Sequence, residues 1–395
     1  MTALEFSPYD YRIHEDPYPT YARLRAEAPL YRNDEFDFWA LSRHADVVAA
    51  FRNLDVFSNA NGVSLDPSAY GPHAHRTMSL LATDPPLHTR MRSIVSRTFT
   101  PRRIAALEPR IREITLEHLE PALDGGAFDF IDDLAGRIPM DVISELVGVP
   151  TEDRVELRRL ADLLVHREEG TYDVTPQGFE AAIALFGYYD ELMRDRRANP
   201  RDDLTSELLA DEVDGDRLSD EEIAAFLFLL VVAGNETTTK LLGNAWYWAW
   251  ANPDERAKPF ADRERIHDWV EETLRYDGST QMVLRTVKAP VTLHGVDLDA
   301  GERVFLLIGS ANRDERVFDR PADYDLDRVT SDLLAFGSGR HFCLGALLAR
   351  LEARAVLDEL LVRIADYDID VARAARVHSA NVRGFATLPT TVVAR

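Results

Sequence analysis

The chain has 395 residues, 46% hydrophobic and 29% charged, the composition of a globular protein rather than a disordered one. Its 45 Lys and Arg against 68 Asp and Glu leave a formal charge of −23. That excludes a general nucleic-acid binder, which needs a basic footprint, and favours a soluble, self-repelling molecule. The single cysteine excludes an internal disulfide and zinc sites built on paired cysteines.

The opening stretch, MTALEFSPYDYRIHED, has no basic segment leading into an apolar run, so no signal peptide is read there. Phe38-Trp39-Ala40-Leu41 reads as a short strand. Gly and Pro mark breaks at Asp66-Pro67, Gly71-Pro72, Asp84-Pro85-Pro86, Asp124-Gly125-Gly126 and Asn199-Pro200. Pro72-His73-Ala74-His75 sets two histidines on a loop without a third ligand, weak grounds for a metal site. From about residue 85 to 275 the chain reads mostly as helix, with apolar residues recurring at three and four in Ile104–Leu119, Glu152–Val165 and Phe179–Arg196.

Ser219-Asp220-Glu221-Glu222 predicts a helix start, with Ser219 as N-cap and Glu222 at the capping-box position. The helix that follows is apolar nearly all round and therefore buried. Its longest apolar run, Ile223 to Ala233, is about 11 residues, short of the roughly 20 a membrane span needs. Its middle, Ala233-Gly234-Asn235-Glu236-Thr237-Thr238-Thr239, costs helix stability or needs hydrogen-bond partners once buried. Two readings stand: a junction of two shorter helices, or a kinked helix whose freed groups line a cavity. Further on, Thr286–Leu293 and Arg303–Leu307 read as strands flanking a turn at His294-Gly295, and Thr387–Val393 as another strand. No repeat or Gly/Ser linker divides the chain. The expected fold is mainly α with small β-sheets, in one compact domain over residues 1–395.

Phe336-Gly337-Ser338-Gly339 is a turn whose glycines let backbone approach a ligand closely. Arg340, His341 and Cys343 follow, and Gly345 opens the helical run ALLARLEARAVLDELL. Cys343 thus precedes a helix N-terminus, whose dipole and free N–H groups favour a thiolate. A thiolate beside a glycine platform is a metal ligand or a nucleophile. The plainer alternative is a buried, inert cysteine.

The run Phe336, Gly337, Gly339, His341, Cys343, Gly345, then Leu348-Ala349-Arg350 and Glu352, resembles the haem-thiolate signature of the cytochrome P450 family. The resemblance implies that family's fold, a compact triangular domain. It implies heme b (iron protoporphyrin IX) as cofactor, with Cys343 as the axial iron ligand in a thiolate ligation that favours O–O cleavage. Phe336 and Gly337 belong to the same cofactor-binding loop.

Further segments carry the resemblance over nearly the whole chain. Glu272-Thr273-Leu274-Arg275 is similar to the ExxR element, which joins a basic residue of a later loop, here Arg328, in a buried charge network. A surface ion pair is the plain alternative. Asp84-Pro85-Pro86-Leu87-His88-Thr89-Arg90-Met91-Arg92 resembles the helix start that binds the haem propionates. His88 and Arg92 share one helical face, and Arg285 and His341 match the other propionate partners. Buried carboxylates require such groups.

The middle of the long helix resembles the oxygen-binding segment AGxET, with Glu236 and Thr237 at the catalytic acid and alcohol positions. Oxygen activation consumes two protons, and a hydroxyl that holds water, fed by a carboxylate, supplies them. The alternative for Thr237 is a hydroxyl turned back on its own helix. By the same resemblance Leu229, Val232, Ala233, Gln281, Met282, Val283, Asn381 and Val382 line a mostly apolar substrate pocket. Gln281 and Asn381 are the candidates to bind a substrate oxygen. The 60–83 segment falls where the family has a loop over the substrate.

The implied function is a monooxygenase that inserts one atom of O2 into a C–H or C=C bond of a medium-sized apolar substrate. Terpenoid, steroid, macrolide and fatty-acid types are all open. No flavin or nicotinamide motif is visible, so electrons are expected from NAD(P)H through a separate ferredoxin reductase and ferredoxin. Arg90, Arg92, Arg97, Arg102, Arg103, Arg340, Arg350 and Arg354 offer a basic face for an acidic ferredoxin. A cytoplasmic location without a membrane anchor is expected. The rivals are a peroxygenase on the same fold, which usually lacks the Glu–Thr pair; a non-catalytic haem-binding sensor, which would carry an output module; and a helical binding protein without haem.

Overall fold

The structure is a computed structural model that describes residues 4–165, 171–212 and 215–395. Its axis is the helix Asp220–Ala251, 32 residues long, or about 48 Å at ~1.5 Å per residue. The helix starts where the sequence predicts. Ser219 Oγ accepts from Glu222 N at 3.2 Å, and Glu222 Oε2 accepts from Ser219 N at 2.9 Å, a complete capping box. Glu222 also accepts from Arg90 at 2.7 Å, which ties the cap to helix Leu87–Val95. Phe226, Leu227, Val231, Leu241, Leu242 and Trp246 are buried along its length. Helices Ile138–Val147, Pro176–Ala198, Ile266–Asp277 and Ala346–Arg363 pack around it. By length and composition this helix could cross a membrane, but 67% of its apolar window is buried inside the protein. A core helix and a membrane helix share that composition because both need apolar surroundings on every side.

The polar middle does not divide the helix. Helical geometry runs unbroken from Asp220 to Ala251, so the junction of two shorter helices is excluded. Two of its three threonine hydroxyls have partners. Thr237 donates to Ala233 O at 2.7 Å and Thr239 donates to Ala135 O at 3.1 Å.

A five-stranded sheet runs in the order Leu30–Asn33, Phe38–Leu41, Arg303–Leu306, Val283–Val287, Phe57–Ser58. The expected strand from Thr286 to Leu293 is two strands, Val283–Val287 and Val291–Leu293. Pro290 lies between them and has no N–H for a ladder. Val283–Val287 pairs antiparallel with Arg303–Leu306, setting Arg285 opposite Val304. Val291–Leu293 instead forms its own hairpin with Val296–Leu298 about His294-Gly295. The φ angles there, 49° and 80°, are the left-handed pair a tight hairpin turn requires. The expected strand from Thr387 to Val393 is divided as well. Phe385–Thr387 pairs with Ala375–Arg376, whereas Pro389–Ala394 lies between Ala127–Asp129 and Ile364–Ile369 in a three-stranded sheet. Trp246 joins this sheet to the central helix, stacked on Phe130 at 5.0 Å and on Tyr367 at 3.6 Å between ring centroids.

Candidate active site

Gly339 gives the cysteine loop its path. Its φ is +74°, and a Cβ there would meet Phe51 O at 3.0 Å. Cys343 N donates to Phe336 O at 3.0 Å, and helix Ala346–Arg363 begins directly afterwards with Gly345 as N-cap. The Cys343 sulfur accepts from the N–H groups of Gly345 and Ala346. Burial pushes the thiol up from its usual range, while those two N–H groups, Arg92 and Arg350 act against the rise. Cys343 is nevertheless exposed. Arg350 lies over the Phe336 ring at 4.4 Å and pairs with Glu271 at 2.6 Å, which braces the loop from behind.

Four groups meet beside this loop. His88 and Arg92 come from helix Leu87–Val95, Arg285 from strand Val283–Val287, and His341 from the turn Gly339–His341. The rings of His88 and His341 lie 4.1 Å apart. Their ring nitrogens are buried and have no hydrogen-bond partner among the described residues. Arg285 is 3% exposed, donates to Leu284 O at 2.7 Å and lies over the Phe51 ring at 5.2 Å. Burial lowers its pKa to about 10, with Asp84 opposing. Burial, then the charges of His88, Arg285 and Arg92, push His341 down to about 2. His88 and Arg92 are lowered too, by burial first. Burying four such groups together is costly unless an anion satisfies them. The set fits a planar group that brings two carboxylates to the cations and a metal to the thiol, and haem is such a group.

On the central helix, Glu236 is 4% exposed, and its Oε2 lies 3.3 Å from Lys240 Nζ. The sequence reading passed over Lys240, although the four-residue spacing to Glu236 is the signal for such a pair. Thr237 is half-buried, its hydroxyl turned back on Ala233 as the alternative reading holds. Leu229 and Val232 are half-buried and Ala233 is exposed. Val283 shares a strand face with Arg285. Asn381 Oδ1 is buried without a partner among the described residues, and Val382 bridges to Thr280.

Gln281 and Met282 are placed differently from the sequence reading. Gln281 is 4% exposed and donates its amide to Gly278 O at 2.8 Å. Gly309 lies so close that a Cβ there would be 2.1 Å from Gln281 Oε1. Met282 packs in the core with Phe6, Leu24 and Phe38. The pleat explains Met282, since it sends Met282 and Leu284 to the face opposite Val283 and Arg285, whereas Gln281 is held by its bond to Gly278 O.

Glu272, Arg275 and Arg328 form a buried network. Arg275 meets Glu272 at 2.6 and 2.7 Å, and Arg328 Nε lies 3.3 Å from Glu272 Oε1. The side chains of Glu272 and Arg275 are 1% and 0% exposed, which excludes the surface-pair alternative. The expected basic face is smaller than the sequence implies. Arg90, Arg103 and Arg350 are engaged by Asp216, Glu207 and Glu271. Arg97, Arg102 and Arg340 are exposed, without an ion pair among the described residues. His73 and His75 join no cluster of three or more His, Cys, Asp or Glu among those residues.

The family model for cytochrome P450 matches residues 260–365. Over 393 residues, 99% of this chain and 98% of its relative, the sequence is 57% identical to cytochrome P450 123 of Mycobacterium tuberculosis. The fold is similar to that of cytochrome P450 CYP109Q5 from Chondromyces apiculatus, with a TM-score of 0.88, 34% identity, and coverage of 99% of this chain and 98% of that one. It is also similar to CYP109E1 from Bacillus megaterium, solved in complex with corticosterone, with a TM-score of 0.85, 33% identity, and coverage of 96% and 99%. With this likeness along the whole chain, in sequence and in fold, the protein belongs to the cytochrome P450 family of haem-dependent monooxygenases.

Proposed function

We propose that this monooxygenase holds haem through Cys343 as iron ligand, with His88, Arg92, Arg285 and His341 as partners of the propionates and Phe336 and Gly337 against its face. The observation that carries this reading is the meeting of those four buried groups, two of them unpartnered histidines, beside the Cys343 loop. Bound haem supplies the oxygen-activating metal centre, in a thiolate ligation that favours O–O cleavage. The protein prepares the ligand. A metal takes cysteine as thiolate, and the N–H groups of Gly345 and Ala346 hold negative charge on that sulfur.

Glu236 and Thr237 supply protons in this reading. Rotation about one side-chain bond frees the Thr237 hydroxyl from Ala233 O to hold a water, and the buried Glu236 is the adjacent acid. Leu229, Val232, Ala233, Val283 and Val382 provide the apolar wall for substrate. Asn381, with its unpartnered amide oxygen, is the polar anchor. This favours a medium-sized apolar molecule carrying a hydroxyl, a class that includes the steroid bound by CYP109E1. Electrons come from NAD(P)H through a ferredoxin reductase and a ferredoxin, which docks on the exposed Arg97, Arg102 and Arg340. Residues 1–395 act as one catalytic domain in the cytoplasm.

The test is the carbon monoxide difference spectrum of the reduced, haem-loaded protein. The wild type is expected to show the red-shifted Soret band of thiolate ligation, and Cys343→Ser to lose it. A wild-type protein that holds haem without this band would overturn Cys343 as the ligand. With the band secured, spin-state shifts on adding steroids, terpenoids and fatty acids test the substrate class.

A further inference from the structure

Helix Arg154–Val165 packs against the central helix. It brings the Asp162 carboxyl into hydrogen-bond contact with the carboxyl of Glu236. An ionised carboxylate only accepts hydrogen bonds, so two carboxyls bond to each other when one of them holds a proton. Lys240 decides which. Its Nζ lies 3.3 Å from Glu236 Oε2 and both side chains are 6% exposed, so the buried ammonium pairs with Glu236 rather than with Asp162. The proton therefore rests on Asp162. Gly384 leaves the room Lys240 needs, since a Cβ there would lie 2.4 Å from Lys240 Cβ.

The two carboxyls differ in their access to water. The Asp162 side chain keeps 48% of its surface open, whereas Glu236 is closed in. One end of the pair can thus exchange protons with water while the other adjoins Thr237. The charged groups facing Asp162 are Glu236 and Lys240 from the central helix and Arg158, at 4.0 Å, from its own helix. Burial, then Glu236, raises Asp162 to about 7 against the pull of Arg158 and Lys240.

We propose that Asp162 is a positioning residue for proton supply: it holds a proton against the Glu236 carboxylate and hands it over, and Glu236 then passes it on toward Thr237. The proton leaves Asp162 Oδ and joins the Glu236 carboxylate. Asp162 then takes its replacement from water, and no electrons move. The inference rests on the reading of Glu236 and Thr237 as the acid and alcohol of oxygen activation.

Two measurements on the holoenzyme test it. Infrared spectra across a pH series are expected to show a protonated carboxyl that titrates near neutral pH and is absent from Asp162→Asn. Oxygen consumption, driven by NADH with a saturating heterologous ferredoxin and its reductase, is expected to fall as pH rises through the same range. In Asp162→Asn it should be slower by about tenfold, since an indirect role delivers less than full acid–base catalysis, and flat with pH. Asp162→Glu should restore both signals. If the neutral-pH carboxyl persists in Asp162→Asn, or that variant keeps the wild-type rate and pH profile while Glu236→Gln is slow, Asp162 has no part in proton supply. If Glu236→Gln itself turns over normally, the underlying acid–alcohol reading fails, and the relay fails with it.

Discussion

Asp277 and Arg383, 106 residues apart in sequence, form an ion pair at 2.7 Å in the interior. Asp277 has no exposed surface and also accepts from Tyr18 at 2.6 Å and from Trp248 at 2.8 Å, with Arg376 at 3.4 Å. Arg383 in turn donates to the carbonyls of His14 and Glu15. One carboxylate thus fastens helix Tyr18–Glu27, the central helix and the C-terminal segment to the end of helix Ile266–Asp277.

Burial alone would raise the Asp277 pKa, but Arg383, Arg376, Tyr18 and Trp248 overcome it and hold the group well below the usual carboxylate range. A depressed pKa contributes stability above the unfolded value of ~3.9 and loses it as pH falls toward the folded value. The wild-type melting temperature is therefore expected to drop on acidification below about pH 4. Asp277→Asn should be destabilised at neutral pH by ~3–5 kcal/mol, the scale of a broken buried pair, with a shallower acid dependence. Thermal unfolding across a pH series measures both. Equal slopes in the two proteins would show that another group governs the acid limb.

Glu272 holds Arg275 and Arg328 at once and also accepts from Asp325 N at 3.0 Å. Glu272→Ala leaves buried Arg275 without its counter-charge and should cost ~3–5 kcal/mol in urea unfolding. Arg328→Ala should cost less, because Arg275 keeps Glu272 satisfied. Equal losses would mean that the three residues act as one indivisible unit.

The buried guanidiniums of Arg92 and Arg285, beside the unpartnered rings of His88 and His341, call for an anion to satisfy them. Haem-loaded protein should melt well above haem-free protein, because binding to the folded state alone stabilises it. Arg285→Leu is expected to weaken haem retention by ~10–100-fold, the value of one or two charge-assisted hydrogen bonds. Haem transfer to apomyoglobin reads this out. Retention equal to wild type would remove Arg285 from the propionate partners.

Gly339 tests the loop itself. Alanine there would hold a left-handed φ and press its Cβ against Phe51 O. A loss of ~1–2 kcal/mol is expected from the backbone conformation alone, seen as a lower melting temperature. Gly345→Ala meets nothing within 4 Å and is the tolerant control. Equal tolerance at both positions would refute the packing account.

Much of this was open to reading because it is local. A cysteine between glycines and a helix start, a Ser-x-x-Glu cap and a Glu-x-x-Arg pair each lie within one or two helical turns, and their spacing specifies their geometry. The family resemblance then linked segments that spacing alone could not. The errors arose where pairing partners decide. Thr286–Leu293 reads as one strand until Arg303–Leu306 claims one part and a separate hairpin the other. Met282 reads as pocket lining until the pleat turns it into the core.

By itself, then, the sequence determined the family and the helical class, because each rests on residue identities at short fixed offsets. Tertiary structure decided what no offset encodes. It bonded Asp162 to Glu236, gathered four partners around Asp277, and brought two histidine rings from distant segments to 4.1 Å. Such contacts depend on how whole elements pack, and burial then sets the charge of every group they enclose.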